Sequence, residues 1–476
     1  MCIRLLGGSS LFSLCLALTG HGQAPQYFVT PAAKLGGTVQ LALVGQPRHT
    51  FASFVDLKGG PQSVLGEEFF LGLGGTLVLF DTGTFNMGGL HYRALTVPST
   101  GVPTGVVFYL QALVLDSQAP NGSFRVSNGE STVLHNATQV MVEEFTDPVL
   151  QGFTGNYDKS RRHRLLGMPP RRRVHTVKPT QGAVFGSPVA GPLNPNGARV
   201  QMVYRASDLG ANGEREVLTA VRWLPRGSVQ TATYKRLLVD VGHTQVVPDY
   251  TIDPWTAFPR FPNSGLATNF AMNQKTGEKP VRIFDGSYTL RPQDVRPDGY
   301  VSYPRPAATF TYNGFNSLLL DFRMEATPKL TTANGQQIQL MVLSTPQPNA
   351  RIHASGRSAT IVDPHTVTSG RGDNSMTYMQ FEFVRIESQA LSPWRKAPVL
   401  NPNFHKPALA TSEPPGTRIV VEYRGARSAN GTGAGMWSAD VNNVDGHPYI
   451  RYRVTLLANP WTGAVPSLES IVIPIN

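Results

Sequence analysis

The chain has 476 residues, enough for two to four domains with separate cores. Its 47 glycines and 38 prolines stand well above ordinary usage, and its 15% of charged residues falls below the usual ~25%, so turns are favoured and surface helices disfavoured. The net charge of +11 is local: residues 159–178 hold eight lysines and arginines and no acid, which argues against a nucleic-acid-binding fold.

The first stretch, "MCIRLLGGSSLFSLCLALTGHGQA", has Arg4, then an apolar run from Leu5 to Leu18, then small residues Gly20 and Gly22 before Gln23. That order predicts a secretory signal over residues 1–22, too short to span a bilayer as a helix. The protein is therefore expected outside the cytoplasm: extracellular, on the cell surface or in the periplasm. No transmembrane segment is expected once the signal is removed. Both cysteines, Cys2 and Cys15, lie within the signal. The mature chain would then lack disulfides, thiolate metal sites and cysteine nucleophiles.

Beyond the signal, two-residue alternation and turn dipeptides predict an all-β chain. Two or three antiparallel β-sandwich domains, jelly-roll-like, would be joined by a basic Pro/Gly-rich connector. Residues 24–137 read as a small sandwich module and 138–195 as the basic linker. Within the linker, Arg161, Arg162, Arg164, Arg171, Arg172 and Arg173 are candidates for gripping a polyanion, or for a protease-sensitive site. Residues 196–350 read as a second sandwich, and 351–476 as a C-terminal β-rich domain. "SLLLDFRM" (317–324), "YMQFEFV" (378–384), "TRIVVEYR" (417–424) and "YIRYRVTLL" (449–457) alternate cleanly. Such strands suit sheets with one face wet. "SGRGDNS" (369–375) is rich in turn formers, and a connecting turn explains its Arg-Gly-Asp better than receptor adhesion does.

Motifs of chemistry are sparse. No GxSxG, phosphate-binding GxxxxGK[ST] or HExxH sequence occurs, and the eleven histidines show no ligand spacing. No catalytic residue, metal or cofactor is assigned. Asp240, Asp321, Glu382 and Glu422 fall on predicted polar strand faces, where solvated charges are expected rather than a catalytic pair. "DVNNVDG" (440–446) offers oxygen ligands but misses the hand-type calcium spacing at Val444, and a turn at Asp445-Gly446 accounts for it.

Aromatic placement is more informative. Trp255, Trp394 and Trp461 each follow a proline in predicted loops, with Phe258 and Phe261 beside the first and Trp437 in another glycine-rich loop. Loop aromatics either stack on sugar rings or a partner's apolar surface, or they plug the ends of a sandwich core. Trp223, inside a predicted strand, is expected in a core.

The runs "LGGTVQLALVGQP", "GVVFYLQALVLD" and "APNGSFRVSNG" resemble a module of secreted multidomain proteins of environmental bacteria. "YRASDLG", "AVRW" and "FTYNGFNSLLLDFRM", in that order, are similar to modules of uncharacterised exported bacterial proteins. The resemblance implies β-sandwich modules without assigned chemistry. Many such proteins end in a hydrophobic sorting tail, whereas this sequence stops at "ESIVIPIN", so anchoring by that route is not expected. The combined expectation is a secreted, non-enzymatic binding or structural protein of a bacterial envelope or extracellular matrix. Its partner would be an extracellular polysaccharide or another acidic envelope polymer. The alternative is a carbohydrate-binding or carbohydrate-active protein with a loop-aromatic sugar site. Specific nucleic-acid binding is not expected, and the sequence leaves oligomeric state open.

Overall fold

A computed structural model describes residues 24–160, 164–177, 196–246, 265–327, 351–355, 361–373 and 375–476, without the side chains of residues 61, 63, 373, 375 and 376. For 2–7, 10–15, 184–187 and 340–344 the backbone alone is described. Regular structure is all β, broken by short 3-10 turns, with no α-helix among the described residues. No helix among them is long and apolar enough to cross a membrane. Of the leader expected over residues 1–22, Cys2–Gly7 and Ser10–Cys15 form an antiparallel hairpin.

Two compact units emerge: Met1–Pro169 with Glu387–Asn476, and Pro170–Ile386. The first unit contains two sandwiches. In one, the strands Leu90–Thr96, Thr38–Val44 and Gln26–Val29 face a larger sheet built around Glu130–His135, Val107–Leu115 and Thr50–Asp56. Val39, Leu41 and Leu43 alternate inward to meet Phe51, Leu110, Ala112 and Val114. Each such side chain contributes roughly 1.5–3 kcal/mol by leaving water.

The other sandwich draws on two stretches far apart in sequence. Gln139–Glu144, Ser467–Ile475, Leu165–Leu166 and Ala408–Ser412 make one sheet. Glu387–Leu391, Tyr449–Leu457 and Arg418–Ala426 are the main strands of the facing sheet. Tyr449–Leu457 keeps the alternation legible in its sequence: Ile450, Tyr452, Val454 and Leu456 are buried, while Arg451 and Arg453 lie on the opposite face.

The second unit is a third sandwich. A six-stranded sheet runs in the order Val281–Leu290, Ala232–Thr244, Ser317–Met324, Ala198–Tyr204, Arg351–Ser355, Arg371–Asp373. It packs on a sheet of Arg171–Val177, Met379–Arg385, Glu216–Trp223 and shorter strands. Trp223, Tyr204, Phe322, Phe381 and Phe383 fill the space between, all fully buried.

Several sequence expectations change. The stretch 138–195 is not a linker throughout: Gln139–Glu144 pairs with Ser467–Ile475, and Arg171–Val177 pairs with Met379–Arg385. Arg172 and Arg173 read as part of a solvated run because their acids lie elsewhere in the sequence, Glu382 at a separation of 210 residues and Glu216 at 43. The blocks 196–350 and 351–476 do not meet at 350 either, since Arg351–Ser355 and Met379–Arg385 complete the sheets of the second unit. Ser317–Met324 has no wet face: Leu319 packs with Val203, Leu266, Phe270 and Ile352 on the side expected to face water. Arg371–Asp373 is not a turn but an edge strand, in antiparallel register with Arg351–His353. Gly370 enters it tightly, because a Cβ there would stand 2.8 Å from both the His353 carbonyl oxygen and the Phe270 ring.

Candidate functional site

Each of the four strand carboxylates is engaged by arginine. Asp321 and Asp240 are buried, not solvated, and stand opposite each other on paired strands. Arg199 clamps Asp321 at 3.2 and 2.7 Å, Arg282 clamps Asp240 at 2.8 and 3.1 Å, and Arg323 reaches both. Glu382 receives Arg172 and Arg222, each at 2.6 Å. Glu422 receives Arg453 at 2.6 Å. A carboxylate whose lone pairs are taken by a guanidinium fork is poorly placed to exchange protons with a substrate.

The basic segment is dispersed in the same way. Arg161 and Arg162 lie outside the described residues. Arg164 reaches Glu68 at 3.4 Å. Arg172 is held by Glu382, and Arg173 by Glu216 at 2.5 Å while stacking 5.0 Å over Phe383. Arg171 stays exposed at the edge of this strand. Among the described residues, Arg172 and Arg173 are therefore neutralised by acids of their own sheet.

Among the aromatic candidates, Trp255, Phe258 and Phe261 lie outside the described residues. Trp394 and Trp437 each lie over arginines on the outer face of the sheet made by Arg418–Ala426 and Tyr449–Leu457. The Arg451 guanidinium lies 5.8 Å from the Trp394 ring centroid. Arg453 and Arg424 lie 4.9 and 5.9 Å from that of Trp437. Each such contact adds about 0.5–1 kcal/mol at a half-exposed site and fixes the ring.

The loop after Ala426 folds back on its own strand through reciprocal backbone bonds between Tyr423 and Ser438, at 2.7 and 2.9 Å, which places Trp437. The same loop passes Trp394 at Gly431, whose φ of +84° suits glycine and where a Cβ would stand 2.8 Å from the indole nitrogen. Both tryptophans are half-buried, and neighbouring Met436 is 90% exposed. Trp461 does not join them. It sits in the Asn459–Gly463 turn beyond Leu457, donating its backbone N–H to Asn459 Oδ1 at 2.8 Å. Arg451 and Leu457 are roughly 20 Å apart along an extended strand, so these aromatics do not form a single row.

Strand register sets the charges on this face. Arg453 stands opposite Leu391 on one side and Glu422 on the other; Arg451 stands opposite Arg424. The Nε of Arg424 donates to the Gly435 carbonyl at 2.5 Å, and that of Arg451 to the Ser392 carbonyl at 2.6 Å. Burial, and then the charge of Arg424, push the Arg451 pKa down from its ordinary value. Sequence reasoning flagged the tryptophans but missed these arginines, because neither strand alone reveals which residue faces which.

A second feature was passed over. Glu130, Glu144 and Glu469, with Phe28 and Phe145, line a cavity of about 230 Å³ within the first unit. Burial holds protons on Glu130 and Glu469 well above the usual carboxylate range and raises Glu144. The described residues hold no group of three or more His, Cys, Asp or Glu placed to bind a metal ion.

No family model and no curated protein matches this sequence. Among solved structures, the chain is similar to carbohydrate-binding modules of the β-sandwich superfamily, at 11% identity over 68% of this chain and 97% of that one, with a TM-score of 0.14. It is similar also to a protein described as membrane-anchored, from Corynebacterium diphtheriae, at 8% identity over 74% of this chain and 62% of that one, with a TM-score of 0.16. Trypsin-activated alpha-2-macroglobulin from Escherichia coli matches at 10% identity over 96% of this chain and 25% of its own, with a TM-score of 0.15. At such scores none of these likenesses bears on what the chain binds.

Proposed function

We propose that this is a secreted, non-enzymatic β-sandwich protein of a bacterial envelope or extracellular matrix, and that it binds a carbohydrate chain. The binding surface is the outer face of the sheet carrying Trp394 and Trp437. The observation that carries the reading is the pair of half-buried indoles on one sheet face, each steadied by arginine from the strands beneath. Fixed rings lose little entropy when a sugar stacks on them, and guanidinium edges beside them can hydrogen-bond hydroxyls. A non-enzymatic role is supported by the strand carboxylates, each engaged by arginine. Export rests on the leader pattern of residues 1–22.

The test is titration of the mature protein against soluble polysaccharides, followed by tryptophan fluorescence and calorimetry. Trp394→Ala and Trp437→Ala are each expected to weaken binding about ten-fold, equivalent to ~1.4 kcal/mol, and Trp461→Ala to leave it unchanged. Wild-type affinity in both of the first two variants would overturn the site.

A further inference from the structure

Arginines standing opposite one another occur elsewhere in this chain, and there an acid answers them. Arg199 faces Arg323, and Asp321 bonds to both. Arg171 faces Arg385, and Glu214 pairs with Arg385. Two isolated arginines are paired as well: Arg395 grips Glu143 at 2.9 Å with both nitrogens of its fork, and Arg125 meets Asp116 at 2.6 Å. Arg424 and Arg451 differ from those two facing pairs. They are direct cross-strand neighbours, and neither has a carboxylate partner among the described residues.

Directly opposite residues on antiparallel strands have Cβ atoms about 4.5–5.5 Å apart, so the two side chains rise from neighbouring points of one sheet face. With each Nε committed to a backbone carbonyl, the Nη groups remain as donors. Like charges placed so are unfavourable in the free protein by up to about 1 kcal/mol, a cost that a bound anion would offset. Trp394 lies beside Arg451, and Trp437 lies beside Arg424 and, closer, Arg453, which Glu422 already holds. A planar anion attached to a ring fits such a surroundings: the ring stacks on an indole while the anion takes the forks of two guanidiniums.

We propose that Arg424 and Arg451 form an anion clamp for the carboxylate of a uronic-acid residue, so that the polysaccharide bound on this face is an acidic one. The inference rests on the carbohydrate reading above and narrows its ligand class.

It is tested on the mature full chain with polygalacturonate, its fully methyl-esterified form and a neutral dextran, using calorimetry with polyphosphate as a competitor. Polygalacturonate is expected to bind at least ten-fold more tightly than the esterified chain, which has the same backbone without the charge. Arg424→Gln and Arg451→Gln should each remove that preference, so that the charged and esterified chains bind with equal affinity to each variant. Arg451→Lys, which keeps the charge but not the fork, should recover only part of it. Equal binding of both forms, or a preference untouched by the glutamine variants, overturns the clamp while leaving the sugar site standing. Displacement by polyphosphate as effective as by free polygalacturonate also overturns it, since the face would then read charge alone. Failure of every polysaccharide to bind overturns the carbohydrate reading itself.

Discussion

Glu469 and Asp321 show opposite ways of burying a carboxylate. Asp321 is 2% exposed yet fully answered, by Arg199, Arg323 and the Gln201 amide at 3.1 Å. Replacing it by asparagine removes the charge that two half-buried arginines share, of which Arg323 keeps Asp240, so Asp321→Asn should cost about 1.5–3 kcal/mol. Denaturant melts of residues 170–386 would measure this, and a loss below ~1 kcal/mol would contradict the account. At Glu469 and Glu130 the surroundings instead push the carboxyl pKa well up, chiefly through desolvation. Their folded-state pKa values lie above those of the unfolded chain, so folding is not penalised in acid. Stability then falls as pH rises from the unfolded glutamate value of ~4.3 through the folded one. Glu469→Gln should therefore raise the melting temperature at pH 8 and change it little at pH 4. Each kcal/mol relieved is worth about 2–4 °C in a unit of this size. The same increment at both pH values would show that charge is not the cause. None of this was legible in sequence, because Asp321 and Glu469 differ in what the fold brings to them.

Elements were legible where one face is wet and obscure where both are covered. Tyr449–Leu457 follows its sequence pattern residue by residue, because its outward arginines meet the half-exposed loop of Trp437. Ser317–Met324 has the same pattern, but Leu266 and Phe270 cover its second face and the ion pairs around Asp321 replace solvent. Arg171–Val177 misled more strongly, since three consecutive arginines suggest an unpaired chain. Pairing with Met379–Arg385 supplies Glu382, and Glu216 on the next strand supplies the second acid. Limited trypsin digestion should accordingly produce no early fragment ending at Arg171, Arg172 or Arg173, because those bonds lie in a hydrogen-bonded strand. Terminal sequencing of the first products would reveal such cuts, and finding them would mean the strand does not persist in solution. The aromatic half of the candidate site could be read from loops rich in glycine and proline. Its charged half could not, because Arg424 and Arg451 become a pair only through register.

On the scale of the whole molecule, the sequence suggests domains in series, whereas the chain nests one inside another. The second unit, Pro170–Ile386, interrupts a sandwich whose strands lie on both sides of it in sequence. Local patterning cannot show this, because nothing in Leu165–Leu166 or Glu387–Leu391 announces that the two belong to facing sheets of one core. The geometry of the junction explains why the arrangement is tolerated. Within the first unit, the Met168 N–H donates to Ser388 Oγ at 2.8 Å, so the chain leaves and returns at neighbouring points. Within the second, Arg171 and Arg385 are cross-strand partners, so its own ends are equally close. Two chain ends already held together can be joined by a short turn or by a whole domain with little change in stability, since the entropy of loop closure grows only logarithmically with length. Replacing residues 170–386 by a short Gly-Ser turn should therefore leave the first unit folded, with polysaccharide binding at Trp394 and Trp437 intact. The excised segment should melt cooperatively by itself on its Trp223, Tyr204 and Phe383 core. The shortened chain should also refold faster, because Gln139–Glu144 and Ser467–Ile475 would no longer wait for an intervening domain to bring them together. Calorimetry and stopped-flow fluorescence on the two proteins would decide it: a shortened chain that is unfolded or aggregated would mean that the inserted unit is needed to hold the interrupted sandwich closed.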